Sequence, residues 1–352
     1  MLIKEECQLL IFDWGDTLMR VFPQYSGAMV NWPVVEAILG TAEGLNGVNG
    51  IIRMVVGTNA VDSSAILISQ ALDRVGLGKY FESVFTAQET GACKPDPAFF
   101  QGIARLMQID PQRAAVVGDD FIMDVAGAQS AGLCTIWLNP ECKECPTTIP
   151  VQDAEIKSLV ELPGLINESW LPTIEVCNAW LRENGAEERL LVHVRQVARC
   201  AYRLAVWLRQ LGERVNPVLA QRGGLLHDLD KISAATKYGN HGELASRLLI
   251  DRGEIALAAI ARRHVMHKIR ESIDAPQTWE EKLVYYADKL VEGAEIVPWQ
   301  VRLEALRQRY PTFIDSFEES KPYLADLEQV ICQALRLSPE ELIRRLEIRN
   351  FT

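Results

Sequence analysis

Residues 9–18 read LLIFDWGDTL, in which four apolar residues run straight into Asp13. A short apolar run that ends on a charged side chain suits a strand buried on both faces whose last residue meets solvent. The pattern recurs along the first half. MVV leads into Gly57 and Thr58, AAVV leads into Gly118 and Asp119, and VFTA near residue 86 and CTIWL near residue 136 are further short apolar runs. Helical patterns lie between several of them. Strands that alternate with helices predict a parallel sheet covered on both faces, a Rossmann-like α/β fold.

The character changes after about residue 170. Val194, Val197, Ala201, Leu204 and Leu208 recur at helical spacing, and similar patterns run from Leu219 to Leu226, Leu244 to Ile250 and Leu283 to Val291. All five histidines fall in this half. The reading is therefore an α/β domain over residues 1–168 followed by an all-α domain over residues 169–352. The last stretch, from about Val297, is rich in Arg, Glu and Leu and is interrupted by Pro298 and Pro311. It is expected to pack on the helical domain or to support a homodimer.

Composition narrows the function classes. A net charge of -11 disfavours a general phosphate-backbone binder, so no broad nucleic-acid affinity is expected. Lys4, Glu5 and Glu6 precede a very short apolar run, which is not the pattern of a secretory signal, and no apolar stretch approaches a membrane span. Eight cysteines lack framework spacing, and Cys142 and Cys145 form a lone CxxC that reads as a loop. A cytoplasmic protein with reduced thiols is the expectation.

Open parallel sheets hold ligands at the carboxyl ends of their strands. Asp13 and Thr58 follow predicted strands there, Lys94 lies in GACKPDP, and VVGDDFIMD puts Asp119 after a strand with Asp124 one turn on. An Asp carboxylate can attack phosphorus, a Thr hydroxyl and a Lys ammonium can hold phosphoryl oxygens, and carboxylates are hard ligands for Mg²⁺. Taken singly, strand-end Asp and Thr are often turn or cap residues. Four in order make that reading poor.

The second half carries a different set. LLHDLDK places His227 and Asp228 together at the end of an apolar helix. His193 opens HVRQVARCAYRLA, His241 begins HGELASRLLI, His264 ends ALAAIARRH, and Asp288 lies inside the apolar LVYYADKL. A buried Asp in an apolar helix needs a partner. Imidazoles and carboxylates together suit divalent Fe, Mn or Zn, and two such ions would activate water and neutralise a phosphoryl group. Asp228 is the natural bridging ligand. His267 reads as an exposed residue. Arg262 and Arg263 flank His264 and are either solvated or phosphate-holding.

The first half resembles the haloacid-dehalogenase-like superfamily, whose four motifs fall on Asp13, Thr58, Lys94 and Asp119/Asp124. The resemblance implies Asp13 as nucleophile, Thr58 and Lys94 as phosphate holders, and Asp119, with Asp124 nearby, as ligands of Mg²⁺ alongside Asp13 and the carbonyl of Gly15. The family's phosphatases carry a second Asp two positions after the nucleophile as general acid and base. Here that position is Gly15, and the nearest acid is Asp16. Loss of a general acid typically costs about 10²–10⁴ in rate, so binding of phosphate and Mg²⁺ without fast turnover competes with phosphatase activity. The interval between Asp13 and Thr58 is too short for the family's cap domain and reads as a single helix around Val34–Leu39. The site is then open to a large substrate, or is closed by the second domain or a partner subunit.

The second half resembles the HD superfamily of metal-dependent phosphohydrolases, close to the subgroup whose motif reads HDIGK. Here Leu229 and Asp230 replace Ile and Gly. The resemblance implies His193, His227, Asp228 and Asp288 as core ligands, His241 and His264 as the extra histidines of two-metal members, and Lys231 as a residue near the substrate phosphate. The joint expectation is a phosphohydrolase acting on a small phosphate ester or anhydride, in particular a nucleotide. The first domain is then a second phosphatase, a substrate-binding site, or a phosphate-sensing regulator of the second.

Overall fold

The computed structural model describes residues 7–147, 149–167, 170–236 and 241–348. The chain forms two compact units, Met1–Lys143 with Val151–Trp170, and Glu144–Pro150 with Leu171–Thr352.

The first unit is built on six parallel strands: β1 Leu9–Phe12, β2 Arg53–Gly57, β3 Ser83–Phe85, β4 Ala114–Gly118, β5 Cys134–Leu138 and β6 Ala154–Ile156. Their order is β3-β2-β1-β4-β5-β6, so β1 is central and the strand order reverses between β1 and β4. Alternation along each strand divides the core. Leu10, Phe12, Met54, Val56, Ala115 and Val117 enter one cluster, while Leu9, Ile11, Val55, Ala114 and Val116 pack with Phe99, Phe100 and Ile103 on the other face. Both faces are covered, which is why these strands read as unbroken apolar runs. β6 escaped the sequence reading because AEI is three residues long and carries a charge.

The helix expected around Val34–Leu39 does not form. That segment is extended: Arg20 N–H donates to the Glu36 carbonyl at 2.9 Å and Ile38 N–H to the Leu18 carbonyl at 2.9 Å. Two β-branched residues, Val34 and Val35, favour extended chain, and the 18–20 segment satisfies its backbone. The helix begins later, at Thr41–Val48. Among the described residues the interval from Asp13 to Thr58 otherwise holds one 3₁₀ turn, Met29–Asn31, and strand β2, and no cap domain.

The second unit is helical apart from a short hairpin, Val291–Glu292 with Glu295–Ile296. Local signals set the helix starts. Asn216 accepts from the Val218 and Leu219 amides ahead of Pro217, and Thr278 and Ser338 each form a capping box with a Glu three residues on. Helices Glu188–Gln210, Pro217–Leu226 and Trp279–Leu290 pack closely around Leu226, Val284 and Ala198, all buried. No helix among the described residues is long and apolar enough to cross a membrane.

Gly224 permits the closest of these approaches, because a Cβ there would fall 2.5 Å from the Ala198 Cα. Backbone cannot yield as a side chain can. Gly224→Ala should therefore destabilise the chain by about 1–3 kcal/mol, the range for overpacking, as read by denaturant unfolding. Unchanged stability would mean that the two helices separate at no cost.

Candidate metal centres

In the first unit the parallel register delivers three groups to one edge. Phe12 pairs with Val56 on one side and Val117 on the other, so Asp13, Thr58 and Asp119 all leave the sheet at its carboxyl end. Asp13 N–H closes the ladder on the Val117 carbonyl at 2.9 Å. After β4 one π-helical turn, Phe121–Ala126, is capped by Asp120, which accepts from the Ile122 and Met123 amides. That turn folds Asp124 back over Gly118. A Cβ on Gly118 would lie 2.2 Å from an Asp124 carboxylate oxygen, so the glycine makes room for the acid.

Lys94 ties the cluster together. Its buried Nζ is 2.6 Å from Asp13 Oδ1 and 2.7 Å from Asp124 Oδ1. Asn59 holds the Lys94 backbone from both sides, accepting from its N–H at 2.8 Å and donating to its carbonyl at 2.9 Å. Thr17 donates to Asp119 Oδ1 at 2.9 Å and accepts from the Asp119 N–H at 3.1 Å. Neither Asn59 nor Thr17 was singled out from sequence, because an amide or a hydroxyl beside a motif carries no signal of its own. Thr58 is buried at the end of β2, and its hydroxyl accepts from the Ala60 amide at 3.3 Å.

Asp16 behaves differently from the others. It is exposed, sits in the left-handed region at φ 54, and accepts from the Val21 amide at 2.9 Å. Gly15 precedes it, and a Cβ on Gly15 would stand 3.0 Å from a Val21 methyl. Val21 thus occupies the side of the loop that a longer residue 15 would need.

The second unit gathers its candidate ligands from five segments. His227 and His264 each follow the last residue of a helix, Pro217–Leu226 and Ile255–Arg263. Each turns its Nδ1 back on a carbonyl of its own last turn, His227 to Gly224 at 2.8 Å and His264 to Ala261 at 2.6 Å. A carbonyl only accepts, so both Nδ1 atoms carry the proton and both Nε2 atoms offer a lone pair. His241 repeats the arrangement with a carboxylate, its Nδ1 lying 2.7 Å from Asp230 Oδ1.

Asp228 stands between two histidine pairs. Its Oδ2 is 3.6 Å from His227 Nε2 and 3.9 Å from His193 Nε2, whereas its Oδ1 is 2.9 Å from His241 Nε2 and 3.3 Å from His264 Nε2. Asp288 Oδ1 joins the first pair, 3.1 Å from His193 Nε2 and 3.7 Å from His227 Nε2. Lys289, buried behind, holds Asp288 Oδ2 at 2.6 Å and donates to the His264 carbonyl at 2.9 Å. Lys231 is half-exposed and reaches Asp228 Oδ1 at 3.3 Å.

Other residues considered from sequence are engaged elsewhere. Arg262 pairs with Asp274 at 2.9 Å and Arg263 with Glu281 at 2.5 Å. His267 is half-exposed beside Glu271 at 3.6 Å. Cys142 and Cys145 are buried in the loop after β5.

Family models place these two clusters. Residues 32–132 match haloacid dehalogenase-like hydrolase, and residues 190–292 match the HD domain. The chain carries both a haloacid dehalogenase-like hydrolase domain and an HD domain. The first match includes Thr58, Lys94, Asp119 and Asp124 and begins after Asp13, while the second spans His193 to Asp288. Among relatives, the pyrimidine 5'-nucleotidase YjjG of Escherichia coli is 31% identical over 128 residues, 36% of this chain and 55% of the relative. A glyceraldehyde 3-phosphate phosphatase of Methanothermobacter thermautotrophicus is 37% identical over 86 residues, 24% of this chain and 38% of the relative. An uncharacterized protein of Methanocaldococcus jannaschii is 33% identical over 126 residues, 33% of this chain and 73% of the relative. The chain thus spans about half or less of the first two relatives.

Both clusters fit a cation. Oxygens of Asp13, Asp119 and Asp124 lie within 4.8 Å of one another in the haloacid dehalogenase-like domain. Burial, reinforced by the charge of Asp13, pushes the Asp119 carboxyl up to about 6 and that of Asp124 up to about 7. In the HD domain, burial would raise the Asp228 carboxyl, but Lys231 and His227 hold it well below the usual carboxylate range. Burial and the neighbouring His227 push His264 down to about 4. His227 Nε2 is fully buried and has no hydrogen-bond partner among the described residues. A lone pair facing carboxylates is a poor arrangement until a positive ion lies between them.

The raised pair gives a pH prediction. In metal-free protein the cost of ionising Asp119 and Asp124 lowers stability as pH rises from about 4 to about 7. Mg²⁺ removes that cost and competes with protons for the same oxygens. Added Mg²⁺ should raise Tm more at about pH 8 than at about pH 5.5, and Asp119→Asn should abolish the pH-dependent part. Equal Mg²⁺ shifts at both pH values in wild type would contradict this reading.

Proposed function

We propose that the chain is a metal-dependent phosphohydrolase whose principal site is the HD domain, acting on a phosphate ester or anhydride of a nucleotide. On this reading the domain assignment follows the sequence division, 1–168 and 169–352. The single observation that carries it is Asp228, whose two oxygens face separate histidine pairs and so suit two ions on either side of one carboxylate. His193, His227, Asp228 and Asp288 would hold one ion, and Asp228, His241 and His264 the other, drawn from Fe, Mn, Zn or similar metals. Asp13, Asp119 and Asp124, with the Gly15 carbonyl, would hold Mg²⁺. Bound divalent ions supply the charge that lowers the pKa of a water and offsets charge on the phosphoryl group.

The chain's own residues do the rest. The three Nδ1 hydrogen bonds fix the imidazole planes and keep each Nε2 directed inward. Asp228 holds its negative charge at any neutral pH. Lys231, at the accessible rim, attracts the phosphate and positions its oxygens. A nucleotide substrate is supported by the similarity to a pyrimidine 5'-nucleotidase.

The haloacid dehalogenase-like domain carries the parts of a second, slower phosphatase. Lys94 holds Asp13 in place for attack on phosphorus, with Thr58 at the neighbouring strand end to receive a phosphoryl oxygen. The departing oxygen needs a proton, and Asp16 is turned toward the Val21 amide instead. That contact favours a second role, in which this domain binds phosphate and Mg²⁺ and regulates or presents substrate to the HD domain.

Phosphate release from a nucleotide panel with Mn²⁺ or Mg²⁺ tests the ranking. Asp228→Ala should lower turnover by about 10³-fold or more, the several kcal/mol that two-metal charge stabilisation supplies. Asp13→Asn should alter KM or activation and leave the products unchanged. Loss of all turnover in Asp13→Asn, with Asp228→Ala active, would reverse the assignment.

A further inference from the structure

Asp230 is the residue by which HDLDK departs from the HDIGK pattern, and it is fully buried. Its oxygens divide their work. Oδ1 accepts from His241 Nδ1 at 2.7 Å. Oδ2 accepts from the Gly242 amide at 2.8 Å and the Ala245 amide at 3.0 Å, at the start of helix Glu243–Ile250. One carboxylate thus anchors the segment that carries His241 and decides which of its nitrogens keeps the proton. His227 and His264 take the same decision from their own helices. His241 precedes its helix and has no such carbonyl, so the orienting group comes from the motif itself.

We infer that Asp230 is a positioning residue that makes the second metal pocket, formed by Asp228, His241 and His264, separately dependent on one side chain. The inference rests on the two-pocket reading above. The pocket of His193, His227 and Asp288 uses no contact to Asp230, so it should survive when Asp230 is changed. The isosteric amide separates orientation from packing. Two backbone N–H groups face Oδ2, so the Asn oxygen must stay there and its NH₂ must face His241. Nδ1 then accepts, the proton moves to Nε2, and the lone pair turned toward Asp228 is lost. Helix anchoring is kept while the ligand is removed.

The test is Mn²⁺ binding to the full chain in an Asp119→Asn background, which silences the first-domain site. The parent should bind about two Mn²⁺ and give an exchange-coupled electron paramagnetic resonance spectrum. Adding Asp230→Asn should weaken the second Mn²⁺ by about 10–100-fold and leave an isolated-ion spectrum, with metal-free Tm little changed. Two coupled Mn²⁺ in Asp230→Asn would overturn the role of Asp230 alone. About one Mn²⁺ in the parent would instead overturn the two-pocket reading. Should Asp230→Asn fail to fold, long-range ¹H–¹⁵N spectra of the Zn²⁺-loaded wild type decide the matter. A proton on His241 Nδ1 with Nε2 metal-bound supports the assignment, and the opposite arrangement overturns it.

Discussion

A carboxylate withdrawn from water must be given a positive partner or a set of donors, and both units of this chain are organised around that demand. Asp13, Asp119 and Asp124 converge at the sheet edge with one buried ammonium, that of Lys94, among them. Asp228 and Asp288 converge between helices with Lys231 and Lys289 beside them. Desolvation of each anion costs several kcal/mol if it is left unmatched. In the first cluster three carboxylates share one lysine, and the excess negative charge defines a place for a cation; in the second each aspartate has a lysine, and it is the inward-facing histidine nitrogens around Asp228 that define the place.

Those convergences depend on backbone that comes unusually close. Gly118 lets Asp124 lie against the end of β4, and Gly224 lets the His227 helix approach the His193 helix. The two glycines serve one purpose in unrelated folds. A missing Cβ shortens the distance between chain segments, and functional atoms can then meet without long, mobile side chains. Positioning by main chain is stiffer than positioning by rotamer.

Much of this was legible in sequence because the deciding residues sit at element ends. LLIF before Asp13 and AAVV before Gly118 mark buried strands and their exits at once, and the apolar helix before His227 marks its own terminus. The ordering groups were less visible. Asn59, Thr17 and Lys289 act through one or two hydrogen bonds each, and nothing in their local spacing announces a partner as distant in sequence as Lys94 or Asp119. Asp230 was visible only as a departure from a motif, without a sign of what it orients. The segment 34–39 was misread as helix because its backbone partners, residues 18–20, are set by tertiary contact and not by local pattern. β6 is too short for periodicity to act on.

Three helices of the second unit end at the same cluster: Pro217–Leu226 beside His227, Ile255–Arg263 beside His264, and Trp279–Leu290, whose last turn carries Asp288. Aligned peptide dipoles leave a partial negative charge at a helix carboxyl end, equivalent to about half an elementary charge. The main chain therefore adds its own field to that of the two aspartates. Such a field draws in divalent cations and repels a phosphate. The helix ends thus favour a cation at the heart of the cluster, and Lys231 at its rim is left as the group that meets an anion.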